Sequence, residues 1–442
     1  MNARLLISFV MKRAVLATLL WGMVTALSPA VLRDKRILVV GGSGRVGGSC
    51  VTQLVQRGAC VHVGGTSLER FQESQERWKS LFPSYVEQFS QVELVRVDRE
   101  KASTFSLKDN YDLVIHTAGP FQGKVKVTNG VLEACVEQGV PYVDVCDDYC
   151  TASAAKTKYQ AKAIESQTPC IVSTGCWPGV SSLMAKQLIS SIQTQYPEVS
   201  PEELKVDFNF FTAGSGGAGV TLLVATFLIL AEQALVIQNG RRREVPAMQD
   251  YSLVDFGSII GEKEVAHLNL LETASVADCL GVGSVQSKFG TAPNFWNALL
   301  GVMAKLPSNL LADEDLMYKL SIFSLPIVRL VDAFAGATNA MRCDVTCESK
   351  PEIRATATYG HPNLEPCVGE CVTAFATAVL SGEVVPGIWF PEQAVDNPDL
   401  VAGVLEMASV GAHTTTVDSS DSVKLEKETI WGSGEVSAVT LQ

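Results

Sequence analysis

Gly42, Gly44 and Gly47 stand at G-x-G-x-x-G spacing inside "VVGGSGRVGG", directly after the apolar run "KRILVV". That spacing has a use where a buried strand turns sharply into a helix. Gly42 permits the tight turn, Gly44 lets the backbone approach a pyrophosphate, and Gly47 lets helix and strand pack closely. The N-terminus of the following helix adds unpaired N–H groups and a positive dipole. Ser43, Arg45 and Val46 fill the intervening positions. A ligand-free glycine turn is the alternative; the strand before and the helix after it favour a dinucleotide.

The next residues choose between two dinucleotides. In "VHVGGTSLER", residues 61–70, the end of the second strand is where an Asp or Glu would grip the ribose hydroxyls of NAD. Thr66 and Ser67 stand there instead, with Arg70 just beyond. Two hydroxyls and a planar guanidinium suit a phosphate, which an acid would repel. Arg45 can stack on adenine or reach the same phosphate. The expected cofactor is therefore NADP; in the competing reading Arg45 and Arg70 are exposed charges.

Acid–base chemistry is harder to place. The chain has no Tyr-x-x-x-Lys, no His-Glu-x-x-His and no Gly-x-Ser-x-Gly. Of its five histidines, His62 and His116 fall in strands and read as core groups. "DVCDDY" places Asp144, Cys146, Asp147 and Asp148 at a strand end, where open α/β sheets receive ligands. Asp147 and Asp148 are the candidate catalytic acids, with a helix N-cap as the competing role of either. "HTAGPFQ" puts a turn, Ala118, Gly119, Pro120 and Phe121, at the end of another strand. Cys343/Cys347 and Cys367/Cys371 share an i, i+4 spacing but no histidine cluster accompanies them, so no metal site is expected.

The elements that must position these groups alternate between strand and helix from 35 to 177. Continuous apolar strands between helices imply a parallel sheet covered on both faces. From 178 to 362 the pattern becomes α+β, with "RCDVTCE" and "IRATATYGH" as paired strands. The expectation is a Rossmann-type doubly wound α/β fold with an inserted α+β substrate domain. Residues 363–395 return to the first domain, and 396–442 form a polar tail without an assigned role. Within the insert, 220–236 reads as one very apolar helix, too short to cross a bilayer. It is either core, a homodimer interface or a peripheral membrane contact. "NFWNALLGVMAKLPSNLL", 294–311, carries the same alternatives.

Composition narrows the partners. The chain is 442 residues long, 47% hydrophobic, with net charge −12. It has no clustered basic surface for nucleic acid; Arg241-Arg242-Arg243 reads as a solvated turn. Lys12 and Arg13 precede an apolar run, Ala14 to Met23, and "VTA" at 24–26 supplies small residues. Residues 1–26 thus resemble a signal-type leader. Twelve cysteines and no Asn-x-Ser/Thr acceptor point instead to a reducing compartment. A plastid reached through the secretory route meets both observations; cytoplasm and secretory pathway are the alternatives.

"GGSGRVGG", "HTAGPFQ", "PYVDVCDD" and "GCWPGVSSLMAKQL", in that order, resemble the saccharopine dehydrogenase-like (saccharopine reductase-type) oxidoreductases. "FTAGSGGAGVTLLVATFLILAE", "SKFGTAPNFWN", "VDAFAGATNAMRCDV" and "SGEVVPGIWFPEQ" are similar to a plant and algal branch of them. The resemblance runs from about 35 to 395. It implies an NADP-binding Rossmann domain, with Ala118–Phe121 by the nicotinamide half of the cofactor. It also implies that Cys146, Asp147 and Asp148 border the cleft, and that Pro178-Gly179 opens the crossing to the second domain. The implied activity is hydride transfer to or from a C=N, C=O or C=C bond of a small molecule. Saccharopine itself carries several carboxylates, and the second domain offers few cations to meet them; Lys288, Arg329, Arg342 and Arg354 are the candidates, with surface ion pairing as the competing role of each. A less charged, apolar substrate is expected. "AGSGGAG" at 213–219 reads as a turn lining the cleft. The other reading of the whole is a non-catalytic NADP-binding regulatory or assembly protein.

Overall fold

The computed structural model describes residues 27–121, 129–213, 220–335 and 338–418. The leader 1–26, most of the glycine-rich loop 213–219 and the last part of the tail lie outside them. The strands in chain order are β1 (Arg36–Val40), β2 (Cys60–Gly65), β3 (Glu93–Arg96), β4 (Leu113–His116), β5 (Tyr142–Asp144) and β6 (Pro169–Ile171). They continue as β7 (Leu204–Ala213), β8 (Ala234–Gln238), β9 (Arg241–Val245), β10 (Ser252–Asp255), β11 (Glu262–His267) and β12 (Ser284–Ala292). The last are β13 (Thr338–Cys347), β14 (Lys350–His361), β15 (Gly387–Trp389) and β16 (His413–Asp418).

The first sheet is wholly parallel, in the order β15-β6-β5-β4-β1-β2-β3. β1 pairs with β2 on one side and β4 on the other, so the strand order reverses at β1. That reversal opens the crevice in which such sheets hold their ligand. The central strands are buried along their whole length, as helices on both faces require: β4 shows no exposed residue and β1 only Arg36. The second sheet is mixed, in the order β10-β11-β12-β7-β13-β14-β16, with β8 paired to β12 and β9. The helix Val180–Gln195 crosses between them. It buries Leu183, Leu188 and Ile192 and packs on β13 and β14. One continuous core runs from Ile37 and Val39 of the first sheet to Phe208, Phe210 and Val345 of the second.

Three expectations about elements are corrected. The helix expected over 220–236 ends at Ile229, and Ala234–Gln238 is strand β8. Leu235 donates its N–H to Asn269 Oδ1 at 3.3 Å, and Asn269 Nδ2 donates to Glu232 Oε2 at 2.5 Å, which holds the break between them. A run of apolar residues does not distinguish a buried strand from a buried helix. The Arg241–Arg243 cluster is not a turn but the exposed edge strand β9, a usual place for charge on an unpaired edge. The tail is not featureless. Asn397 caps the helix Pro398–Ala408, which buries Leu400, Val401, Val404 and Met407, and His413–Asp418 pairs antiparallel with β14.

The returning segment sits against the glycine helix. In the helix Leu364–Leu380, a Cβ on Gly369 would collide with Ser49, so the two helices touch through backbone. β15 then extends the first sheet beside β6.

Candidate functional site

The glycine loop turns between β1 and the helix Arg45–Gln56. Gly41 makes the turn, at φ +83°, and a Cβ there would lie 2.8 Å from the Ala118 nitrogen. This corrects the role expected of Gly42, whose missing Cβ makes room for Val63 instead, 2.9 Å from Cγ2. A Cβ on Gly47 would overlap the Gly41 carbonyl. Gly44 is the N-cap and no side chain caps the helix. Its first N–H groups therefore open on a cavity lined by Ser43, Gly44, Arg45, Val46 and Gly47, a cradle that fits a pyrophosphate. Gly42 does not line it.

Thr66, Ser67 and Arg70 line the same cavity beyond β2, and no carboxylate lies among the lining residues of that stretch. Ser67 Oγ also accepts the Arg70 N–H at 3.2 Å and so caps the helix Leu68–Leu81. The hydroxyl proton of Ser67 remains a donor. Arg45 is tethered: its guanidinium pairs with Glu365 of the returning helix at 3.2 Å. Burial lowers the Arg45 pKa and raises that of Glu365, each opposed by the charge of the other. Arg45 thus reaches the cavity from a fixed position rather than as a free surface cation.

Ala118, Gly119, Pro120 and Phe121 line the cavity after β4. Arg99, which follows β3, donates to the Ala118 carbonyl and, at 2.9 Å, to that of Gly119, pinning the turn. Sequence reasoning missed Arg99, although its position three residues past the end of β3 was the signal. His62 and His116 hydrogen-bond Tyr111 and Tyr142 at 2.8 and 3.0 Å, and neither lines the cavity.

The candidate acids separate. Asp144 is buried and ties β5 to the end of β6, accepting from Ser173 N at 2.8 Å, Cys146 N at 3.0 Å and Tyr142 Oη at 2.8 Å. Asp148 takes the capping role: it accepts the Thr151 N–H at 2.6 Å at the start of the helix Tyr149–Glu165, outside the cavity wall. Asp147 lines the cavity. A further carboxyl, absent from the sequence reading, joins it there. Glu272 sits in the first turn of the helix Leu271–Leu280, 1% exposed, and its Oε1 accepts from Ser181 Oγ at 2.7 Å. Burial raises it from 4.5 to about 7. In sequence it is one acid at a helix start, which ordinarily signals the helix dipole and nothing more.

The cavity measures about 1500 Å³ and is one space. Its cofactor half is the set above. The other half is walled by three helices, Val220–Ile229, Phe295–Met303 and Glu314–Ala335, with side chains such as Phe227, Trp296, Leu300 and Ile327. No Lys or Arg of the second domain lines it, among the described residues. Lys288 is spent on Asp250 at 2.8 Å and Arg342 on Asp344 at 2.7 Å. Arg329 and Arg354 lie off the wall. All twelve cysteines are free thiols, and among the described residues no three or more His, Cys, Asp or Glu side chains come together as a set of metal ligands.

Residues 37–170 match the family model of the saccharopine dehydrogenase NADP-binding domain. Over 84% of this chain and 96% of its own, a saccharopine dehydrogenase (L-Glu forming) from Saccharomyces cerevisiae superposes with a TM-score of 0.51 at 13% identity. A putative short chain dehydrogenase from Escherichia coli CFT073, complexed with NADPH, matches 33% of this chain and 78% of its own at 16% identity and a TM-score of 0.26. No curated protein matches the chain. The first domain is a saccharopine dehydrogenase NADP-binding domain, and NADP is its cofactor. Over the 84% of this chain that superposes, the fold is that of the yeast enzyme.

Proposed function

We propose that the protein is an NADP(H)-dependent oxidoreductase passing hydride to or from a C=N, C=O or C=C bond of a small molecule with an apolar body. The observation that carries this is the single cavity. It joins the glycine loop and Arg70 at one end to Trp296 and Leu300 at the other, with Asp147 and Glu272 on its wall.

The nicotinamide, when bound, supplies or takes the hydride. The chain's residues do the rest. Thr66, Ser67 and Arg70 hold the phosphate that distinguishes NADP from NAD. Ala118–Phe121, pinned by Arg99, borders the reacting end. Trp296, Leu300 and their neighbours take the apolar body and exclude water, which strengthens every charge interaction inside. Glu272 carries the proton. A carboxyl near 7 is populated in both forms at neutral pH, so it donates in reduction and accepts in oxidation. Ser181 fixes its orientation. Asp147 shares the wall, after β5. Among the described residues no Lys or Arg of the second domain lines the cavity, which argues against a substrate with several carboxylates.

The test is calorimetric titration of the full chain with NADPH and NADH, followed by a turnover screen of apolar ketones, enones and imines. Tight NADPH binding together with a substrate whose turnover collapses in Glu272→Gln supports the reading. Tight NADPH binding with no turnover across the screen leaves the non-catalytic regulator standing instead. Twelve free thiols suit a reducing compartment, and we place the protein in a plastid. Fractionation that recovers it from the secretory lumen would overturn that placement.

A further inference from the structure

Around the mouth of the cavity the second domain shows apolar side chains to solvent. Phe295, Leu299, Val302 and Leu306 recur at i, i+4, i+7 and i+11, one stripe along the Phe295–Met303 helix and its extension. Leu316, Phe323, Ile327 and Leu330 form a second stripe along Glu314–Ala335, with Phe323 74% exposed and Leu330 64%. Leu222 of the Val220–Ile229 helix joins them. Soluble surfaces scatter such residues singly; clusters of this kind mark contact sites.

The stripes and the cavity are one surface. Leu222, Phe295, Leu299, Leu306, Phe323 and Ile327 are exposed on one side and line the cavity on the other. The cavity therefore opens through the apolar face. Charge is sparse along the first stripe: between 294 and 312 the only ionisable side chain is Lys305. On the second helix and its approach the exposed charges are Asp313, Glu314 and Asp315 at its start, and Lys319 and Arg329 beyond. No helix among the described residues is long and apolar enough to cross a membrane, so any membrane contact by these helices lies along the interface.

We propose that this face seats on a lipid bilayer and that the substrate enters the cavity from the lipid phase. The proposal rests on reading the cavity as a site for an apolar substrate. A rigid protein partner on the rim would seal the entrance. Acyl chains cover the same side chains and remain fluid, so a molecule dissolved in them passes from bilayer to cavity without crossing water. An apolar substrate is also most concentrated in that phase.

Flotation of the full chain with phosphatidylcholine vesicles tests it. Wild type should float, and raised salt should not release it, because apolar insertion is not screened. The triple variant Val302→Glu, Leu310→Glu, Leu330→Glu changes exposed residues that do not line the cavity. It should lose flotation by about tenfold or more while binding NADPH as wild type does. A wild type that stays with the lipid-free fraction overturns the proposal. So does a triple variant that floats unchanged, since attachment would then belong to another segment, residues 1–26 included. A lipid-free dimer that the triple variant splits assigns the face to a second copy and also overturns it. NADPH titration of the wild type reads the cofactor site separately: flotation lost with NADPH binding intact sinks the membrane proposal and leaves the enzyme reading in place.

Discussion

In the proposed reading, one guanidinium, that of Arg70, and the two neighbouring hydroxyls of Thr66 and Ser67 choose between the two cofactors. A charge-assisted hydrogen bond to a phosphate contributes about 1.5–3 kcal/mol. Arg70→Ala should therefore weaken NADPH binding by roughly ten- to a hundredfold and leave NADH binding unchanged. Calorimetry with both nucleotides decides it, and an equal loss for both would refute the phosphate assignment. Glu272 makes a prediction in pH. Its folded pKa of about 7 lies above the ordinary 4.5. The stability linked to its protonated form is full below the unfolded value and is lost as pH rises through the folded one. Above that, the folded state carries a buried carboxylate at a cost of about 3 kcal/mol. Glu272→Gln keeps an acceptor for Ser181 and removes that cost. Denaturant unfolding should show the variant level with wild type near pH 4 and more stable above pH 8. In the reductive direction wild-type turnover should fall as pH rises through about 7, since the proton donor is lost. The variant should be slow and lack that fall. A wild-type profile flat across this range would remove Glu272 from the proton step. That Gly44, Gly47 and Arg70 would border one cleft was legible because their types carry a mechanism at a fixed distance from a strand. The place of Glu272 on the wall was not: it comes from burial beside Ser181, 91 residues away, and spacing along the chain says nothing of that.

Elements divide the two aspartates that the sequence sets side by side. The helix Tyr149–Glu165 begins where it does because Asp148 accepts the Thr151 N–H. Asp148→Ala should cost about 1 kcal/mol of stability and leave NADPH binding and turnover as they were. Asp147→Asn should change turnover with little change in stability. Paired unfolding and kinetic measurements check both, and a dead Asp148→Ala enzyme of normal stability would return that residue to the chemistry. The parallel strands of the first domain were readable because burial on both faces demands unbroken apolar runs between helices. The antiparallel pair β13 and β14 was readable from the alternation of polar with small or apolar residues in "RCDVTC" and "IRATAT". β8 was not, because its residues continue the apolar run of the preceding helix and the break depends on Asn269, 31 residues beyond Gln238. Nor was the structure of the tail beyond 396. Helix Pro398–Ala408 and β16 are short, and what fixes them is a neighbour far back in sequence, the helices Val180–Gln195 and Leu364–Leu380 for one and β14 for the other.

Two sheets suggest two folding units, and the core argues otherwise. Val180, Leu183 and Leu188 of the crossing helix sit in one cluster with Ile37, Val39 and Val51 of the first domain and Phe208, Val206 and Val345 of the second. The returning helix Leu364–Leu380 adds Cys367, Cys371 and Phe375 to that cluster while touching the glycine helix through Gly369. Fully burying a large apolar side chain stabilises by about 1.5–3 kcal/mol, so a second sheet that unfolded alone would expose many such groups on the first. Cooperative loss of both is the lower-energy route. Calorimetry should show a single heat-capacity transition. NADPH binds only the folded form, and at a hundredfold excess over its dissociation constant should add about 2.7 kcal/mol, moving that transition upward as a unit. Two resolved transitions, with NADPH shifting only one, would mean that the shared core does not couple the domains. The cofactor cradle would then be a property of the first sheet alone. A single transition that moves as a unit means that phosphate held at Gly44 stabilises the apolar wall some distance away. The cleft would then be assembled before either ligand arrives, with the cofactor end and the apolar end fixed by the same packing.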